Sequence, residues 1–311
     1  MNITSNIRTS VKYQRRFVLA AVICAGVLPA EPVSAEAKSA PAKVLIVVGP
    51  SNHPPGSHEV AAGSRLMQHC LNHSENVRVQ ATVVYEWPKS EALLDETDTV
   101  VFMGDTFPPN RFPGIDTILA KLGQMMNRGC GIVCVHYATG LRAEDVAQDG
   151  EHPLLYWMGG YFATRCPHHQ SIAKIYPAAK ITPAAPDHPV SRGWKEFVVH
   201  DEPYINNYFG KDNNRPAANV TALAVSMLPP DNPKQETVAW CVQRDNEGRG
   251  FGIVMPHFYR SWKNKDLRTF ILNGIVWTAG QSVPKTGVSS ELPDLTTFNP
   301  ESVEPRPRKA K

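Results

Sequence analysis

His136 stands near the end of an apolar run, GIVCVHYATG, which spans residues 131 to 140. The run begins as a buried strand, and the end of such a strand is where an α/β fold commonly presents its reactive group. Cys134 lies two residues earlier between Val133 and Val135, so we expect its thiol to be buried and protonated. His136 rather than Cys134 is therefore the candidate for chemistry at this turn.

An imidazole at a strand end suits two kinds of chemistry. The unperturbed pKa of histidine, about 6.5, lies near working pH, so the ring can transfer a proton. A neutral imidazole nitrogen can also bind a divalent cation such as zinc. His136 is a candidate for either role.

Other polar groups follow other apolar runs. The loop GPSNHPPGSHE carries His53 and His58, an acidic pair follows FVVH, and a histidine follows GFGIVMP. Parallel strands lie about 5 Å apart and their carboxyl ends share one edge of the sheet, so these groups can converge. The predicted catalytic residues are His136, His257, Glu202, Asp201 and His58.

Two chemical schemes remain open. Several imidazoles and two carboxylates are ligand types that zinc accepts, but the sequence lacks the HxH and HExxH spacings, so each ligand would come from a different loop. In a scheme without metal, His136 and His257 act as acid and base while Glu202 orients one of them. The sequence therefore predicts no certain cofactor, with a divalent metal such as zinc as the option.

A layered α/β fold must position these groups. Strand-like and helix-like patterns alternate four times between residues 43 and 135, beginning with KVLIVV, a continuous apolar run typical of parallel strands. Residues 150–235 are rich in Pro, Gly and aromatics with short alternating runs, which favours antiparallel additions and long loops. The pattern resumes from residue 237 to 279. We predict an α/β, doubly wound, mostly parallel sheet with antiparallel additions.

The order of these segments resembles the ThuA-like (trehalose utilisation) family, which shares the flavodoxin-like fold of class I glutamine amidotransferases. The resemblance covers roughly Lys43 to Gly280 and rests on GPSNHPPGSHEVAAG, GCGIVCVHYA, WMGGYF, HPVSRGWKEFVVHDEPY, the Trp240 strand, GRGFGIVMPHFYRSW and FILNGIVWTAG. It places His136 where an amidotransferase has its nucleophilic cysteine and His257 where the partner histidine stands. A glutaminase that depends on cysteine is therefore not expected.

The resemblance also implies a small-molecule carbohydrate as substrate. Family members are linked to trehalose and related disaccharides through keto-sugar intermediates, which implies an isomerase, lyase or hydrolase step. Aromatic rings with polar edges near the predicted crevice suit stacking on a sugar ring. The predicted substrate-binding residues are His53, Tyr137, Tyr204 and Trp262.

Two alternatives stay open at this point. A non-catalytic carbohydrate-binding or interaction module would keep the fold, and its histidines would not converge. An amidotransferase that uses another thiol would need Cys130 or Cys166 exposed beside His257. Convergence of the predicted histidines and carboxylates separates the enzyme from both.

The first 35 residues have the pattern of a signal peptide. Arg15 and Arg16 precede an apolar run from Phe17 to Leu28, and small residues come before Glu36. RRFVL is compatible with a twin-arginine signal, and a Sec route stays open. We expect export to the periplasm or beyond the cell, followed by a linker over 36–42.

Removing that segment takes away four basic residues and one acidic residue, which leaves 28 of each sign. A near-neutral chain without a Lys/Arg cluster argues against nucleic acid as a partner. The apolar run is too short for a stable membrane span, which takes roughly 20 residues. The family-like domain is predicted over 43–280, and the Pro-rich tail over 281–311 is predicted to be disordered.

Overall fold

The centre of the fold is a twisted sheet, and the computed structural model describes it within residues 40–307. The predicted signal peptide, most of the linker and the last four residues lie outside the described residues. The strands are β1 (Ala42–Val48), β2 (Val79–Val84), β3 (Thr99–Met103), β4 (Gly131–Val135), β5 (Gly140–Arg142), β6 (Phe162–Thr164), β7 (Tyr176–Pro183), β8 (Phe197–Asp201), β9 (Val220–Leu228), β10 (Lys234–Gln243) and β11 (Arg249–Ile253). The α-helices are α1 (Val60–Asn72), α2 (Glu91–Glu96), α3 (Ile115–Asn127), α4 (Pro153–Met158) and α5 (Lys265–Thr278).

Within the described residues nine strands form one sheet in the order β2-β1-β3-β4-β11-β10-β9-β7-β8. The neighbours from β2 to β11 are parallel. Every residue of β3 and β4 is buried, as expected for apolar strands covered on both faces. The predicted doubly wound, mostly parallel sheet is confirmed.

The second half of the sheet is antiparallel. Strand β10 pairs antiparallel with both β11 and β9, and β7 pairs antiparallel with β9 and β8. This confirms the antiparallel additions expected between residues 150 and 235. One of the short alternating runs in that region, SIAKIY at residues 171–176, contributes only Tyr176 to β7, because pairing with β8 begins there.

The segment from 281 to 307 packs on the domain, which contradicts the prediction of a disordered tail for the described part of it. Four of its apolar side chains are buried, and its backbone is held by polar side chains of α1 and α5. Arg65 Nε donates to the carbonyl of Phe298 at 3.0 Å, and the Val288 amide donates to Asn273 Oδ1 at 2.8 Å. Prolines interrupt any periodic pattern in this segment, so its composition does not indicate that isolated apolar residues pack on the domain. These residues are Val283, Val288, Leu295 and Phe298.

Within the described part of the chain, none of the helices combines the length and the apolar character needed to cross a membrane.

Candidate functional site

Four adjacent parallel strands each deliver a polar side chain to one edge of the sheet. His53 and His58 follow β1, Asp105 follows β3, His136 follows β4, and His257 follows β11. These strands lie side by side in the order β1-β3-β4-β11. Because the carboxyl ends of these parallel strands share one edge of the sheet, residues that are about 200 positions apart in sequence lie close together.

Three imidazoles meet with their ring nitrogens almost in contact. His58 Nε2 lies 2.8 Å from His136 Nε2 and 3.0 Å from His257 Nδ1, and the last two atoms are 3.2 Å apart. Glu202 Oε2 completes the group at 3.1 Å from His257 Nδ1 and 3.9 Å from His136 Nε2. We call His58, His136, His257 and Glu202 the histidine cluster.

The outer nitrogens of two of these rings have partners that fix the position of the ring proton. His58 Nδ1 faces Asp105 Oδ1 at 2.6 Å, and His136 Nδ1 faces the carbonyl oxygen of Val254 at 2.9 Å. A carboxylate and a carbonyl oxygen only accept hydrogen bonds, so both Nδ1 atoms must donate. In the neutral rings, both Nε2 atoms then turn their lone pairs toward the middle of the cluster.

Burial favours the neutral form of His58 and His136. Burial lowers the pKa of His58 to about 4, although its hydrogen bond to Asp105 acts in the opposite direction. Burial, with the neighbouring histidines, also holds the pKa of His136 well below its usual range. Burial tends to raise the pKa of the Asp105 carboxyl, but the hydrogen bonds with His53 and His58 outweigh it and hold that pKa well below its usual range.

The backbone at two of the cluster residues is strained. His58 has φ of 46° and His136 has φ of 52°, both in the left-handed region that few non-glycine residues adopt. Strain of this kind costs on the order of 1–3 kcal/mol per residue and persists where the surroundings enforce it, often at functional sites. The turn at the end of β4 therefore aims the His136 ring into the cluster at a conformational cost.

The two acidic residues predicted after β8 have different positions. Glu202 reaches the cluster, whereas the buried Asp201 turns to the backbone of the loop after β11. Its Oδ1 accepts hydrogen bonds from the amides of His257 at 2.7 Å and Glu202 at 2.8 Å, and its Oδ2 accepts from Ser261 Oγ. The structure thus corrects the predicted catalytic role of Asp201 to a positioning role.

The four predicted substrate-binding residues also differ in position. Tyr204 is buried with its hydroxyl 3.1 Å from His136 Nε2, and burial holds the pKa of that hydroxyl well above its usual range, so it is a hydrogen-bond donor. His53 stacks on His58 and faces Asp105 Oδ2 through Nδ1 at 2.9 Å, with its side chain 31% exposed. Tyr137 is half-buried beside them, with its ring centre 6.0 Å from that of His53.

Trp262 does not bind substrate in this arrangement. Its side chain is almost completely buried, with the indole packed close to Gly63 of α1. It lies in a short 3-10 helix, Tyr259–Lys263, and the sequence did not indicate which side chains of this helix point into the core. The predicted role of Trp262 is therefore wrong, and the residue belongs to the core.

No thiol joins the histidine cluster among the described residues. Cys134 is fully buried in β4, and burial holds the pKa of its thiol well above the usual range. Burial also raises the pKa of Cys130 to about 12 and that of Cys166 to about 11. A protonated, buried thiol is a poor nucleophile, so none of these cysteines fits thioester chemistry.

Asp105 is a member of the candidate site that was not predicted from the sequence. It bridges His53 and His58, and it forms with them a second group of potential metal ligands. The available signal was its position two residues after β3, at the same sheet edge as the other strand ends. The rule that selected His136 would have selected Asp105 as well.

Comparisons with known proteins agree with this fold. A family described as ThuA, trehalose utilisation, matches residues 43–278. A putative ThuA-like protein from Bacteroides uniformis superimposes with a TM-score of 0.55 at 16% identity, covering 84% of this chain and 98% of that one. A search of curated sequences gives no match.

Two further solved structures are more distant. The carbohydrate deacetylase Agd3 gives a TM-score of 0.46 at 9% identity over 77% of this chain and 32% of that one. A glutamine amidotransferase from Thermotoga maritima gives 0.41 at 9% identity over 76% and 96%. Since the family match spans well over half of the sequence, the chain belongs to the ThuA (trehalose utilisation) family, which indicates a carbohydrate-related role.

Proposed function

We propose that this chain is a carbohydrate-active enzyme whose histidine cluster holds a divalent cation, with zinc as the leading candidate. The observation that carries the proposal is the pair of Nε2 atoms of His58 and His136, which lie 2.8 Å apart while both Nδ1 protons are directed outward. Two lone pairs at that distance repel each other, and a cation between them would turn the repulsion into ligation. Three imidazoles are a ligand set that zinc takes in catalytic sites, where the fourth position stays open for water or substrate.

The surrounding contacts have the character expected around such a cation. Histidine ligands of metals usually donate their other ring N–H to a carboxylate or a backbone carbonyl, which fixes the ring and raises its basicity. His58 does so to Asp105 and His136 to Val254. A divalent cation held here would act as a Lewis acid that polarises a substrate oxygen.

The residues of the chain supply the remaining functions. Glu202 is partly open to solvent and lies against two cluster imidazoles, so its carboxylate can accept a proton from substrate. Tyr204 can donate a hydrogen bond to a developing negative charge. His53, whose Nδ1 faces Asp105, directs its other nitrogen away from that pair and can act as a second proton-transfer group.

The substrate that we propose is a disaccharide or a keto-sugar derivative. The family match supports carbohydrate in general, and a keto group would make an adjacent C–H acidic enough for a positioned base to remove its proton. Glutamine hydrolysis through a thioester is not supported, because the thiols at hand are buried and protonated. A purely binding module is disfavoured because the predicted histidines do converge.

The decisive experiment measures metal content and turnover on the same preparations. Protein purified without chelator should contain about one zinc or similar ion per chain, and His136→Ala should lose it together with turnover of disaccharides or their 3-keto derivatives. His73→Ala, which changes an exposed histidine on α1's C-terminal side, is the matched control and should retain both. Unchanged metal content in His136→Ala would overturn the metal assignment.

We also propose export of the mature chain, on the pattern of residues 1–35 alone. Mass spectrometry of the protein from the extracytoplasmic fraction should show a mature chain beginning near Glu36. An intact N-terminus on protein recovered only from the cytoplasm would contradict it.

A further inference from the structure

A cavity of about 390 Å³ shares Tyr137 with the surroundings of the histidine cluster. Its wall consists of Tyr137, Arg142, Ala143, Glu144, Thr164 and Arg165, and we call it the arginine pocket. Tyr137 belongs both to this wall and to the surroundings of the cluster, because its ring centre lies 5.8 Å from that of His58. The volume falls within the range of small-molecule sites.

The two arginines meet because two short parallel strands end together. In the pair formed by β5 and β6, Arg142 lies opposite Thr164, and Arg165 is the next residue along the chain. Side chains from both strand ends therefore reach the same space. Phe162 of β6 packs on Tyr204, whose ring stacks on His136, so the same strand pair is fixed to the cluster.

The charge of the pocket is not balanced. Glu144 Oε1 lies 3.6 Å from Arg142 Nη1 and 3.9 Å from Arg111 Nη1, so its negative charge is already countered. Across residues 40–307 the guanidinium of Arg165 makes no hydrogen bond or ion pair. Arg165 is exposed and has φ of 53°, in the left-handed region that non-glycine residues rarely adopt.

We propose that the arginine pocket binds an anionic group of the substrate, so that the substrate is an acidic carbohydrate rather than a neutral one. The anion is a carboxylate of a sugar acid or a phosphate of a sugar phosphate, because a guanidinium binds either through two parallel N–H groups. Tyr137 separates the charged group from the sugar carbon that reacts at the cluster. This inference rests on the proposed function, since it names the substrate class of the same site.

The test measures binding, so it does not depend on turnover. Calorimetric titrations of D-glucuronate, D-glucose 6-phosphate and D-glucose are run on the full chain as purified and again after chelator treatment. At least one of the two anionic sugars should bind about tenfold or more tightly than glucose in both preparations, as expected for one charged hydrogen-bonding pair. The tighter of the two identifies the anion as carboxylate or phosphate.

Variants assign that preference to the pocket. Arg165→Gln should weaken binding of the preferred anionic sugar about tenfold, and Arg165→Lys should weaken it less because the charge remains. Arg78→Gln, at an exposed arginine just before β2, is the matched control and should leave the affinity unchanged. Near-ultraviolet circular dichroism of each variant shows that the fold is retained.

The outcomes separate this inference from the proposed function. Equal affinity for glucose and both anionic sugars, or an unchanged affinity in Arg165→Gln, would overturn the arginine pocket even if the protein contains metal. A clear preference for an anionic sugar that Arg165→Gln abolishes, in a protein without metal, would support the pocket and remove the metal assignment.

Discussion

At the scale of single residues, Asp105 links two imidazoles and is the clearest target for mutation. Its two carboxylate oxygens face His53 and His58, and the contact with His58 turns the lone pair of Nε2 inward. In Asp105→Asn one oxygen becomes an NH₂ group, which must donate, so one of the two rings has to change its tautomer. We expect the affinity for zinc to fall about 10–100-fold, as for other partners of metal-bound histidines.

Competition with a chromophoric chelator measures that affinity, and the thermal unfolding of the metal-free variant is recorded beside it. Asp149→Asn, at an exposed carboxylate paired with Lys211, is the control. Equal zinc affinity in Asp105→Asn and the parent chain would show that Asp105 does not orient His58. A large loss of stability without a change in affinity would point to the same conclusion.

The convergence of the histidine cluster could be predicted from the sequence because strand ends are readable from apolar runs. His58, His136 and His257 follow strands of the parallel half of the sheet, whereas Glu202 follows the antiparallel β8 and still reaches them. What the sequence did not show is the direction in which a side chain points once a strand has ended. Asp201 and Glu202 are neighbours, yet one turns to backbone amides and the other to the cluster, and this depends on the loop after β11.

At the scale of elements, the C-terminal segment braces the loop that carries His53 and His58. We call residues 299–306 the strap. The carboxylate of Glu59 accepts the amides of Glu301 at 2.9 Å and Ser302 at 3.0 Å, and the amide of Arg306 donates to the Pro55 carbonyl at 2.9 Å. The strap thus holds the loop against α1 from the outside.

A chain that ends at Phe298 should keep the sheet but bind metal less tightly. The loss of these three amide hydrogen bonds, together with those that Arg65 and Arg260 donate to Asn299 and Glu304, should lower the free energy of unfolding by about 2–4 kcal/mol or more and allow the loop to move. We expect zinc affinity to fall about tenfold or more, and limited proteolysis should cut between residues 50 and 59. A chain that ends at Pro307 retains the strap and is the control; equal zinc affinity in the two truncations would contradict the bracing role.

The fold class and the antiparallel additions were predictable because the spacing of apolar residues along the sequence reflects which residues of a strand or helix are buried. The packing of residues 281–307 was not, because its contacts are isolated residues on a backbone without regular structure. Glu59 illustrates the same limit. An acidic residue before α1 reads as a helix-start signal, and its hydrogen bonds to residues 301 and 302 depend on tertiary structure alone.

At the scale of the whole molecule, several histidines are buried in the neutral form, which makes the fold sensitive to acid. Burial lowers the pKa of His152 from 6.5 to about 4, and the same holds for His188. The unfolded chain takes up these protons near pH 6.5, whereas the folded chain resists them until about pH 4. The stability that these two histidines contribute by staying neutral is therefore fully present above about pH 6.5, and it is lost as the pH falls toward 4.

His152→Asn tests this directly. His152 accepts a hydrogen bond from the Leu154 amide at the start of α4, and asparagine can keep that cap without titrating. Between pH 7 and pH 4.5, the parent chain should lose about 2–3 kcal/mol more stability than the variant. Urea unfolding of the chelator-treated proteins measures the difference, with His73→Asn as an exposed control. Parallel pH profiles for the parent and His152→Asn would rule out a contribution from His152.

The bracing of the His58 loop by the strap has a consequence for biosynthesis. His58 and His257 are separated by 199 positions, and the residues that lock the loop at Glu59 are translated another forty or so codons later. A chain whose synthesis stops between residues 257 and 301 therefore has the strands of its sheet, but the strap does not hold the loop that carries His58. Under the proposed function, tight binding of the cation would then be confined to chains whose synthesis has passed residue 302, so shorter products would bind little zinc.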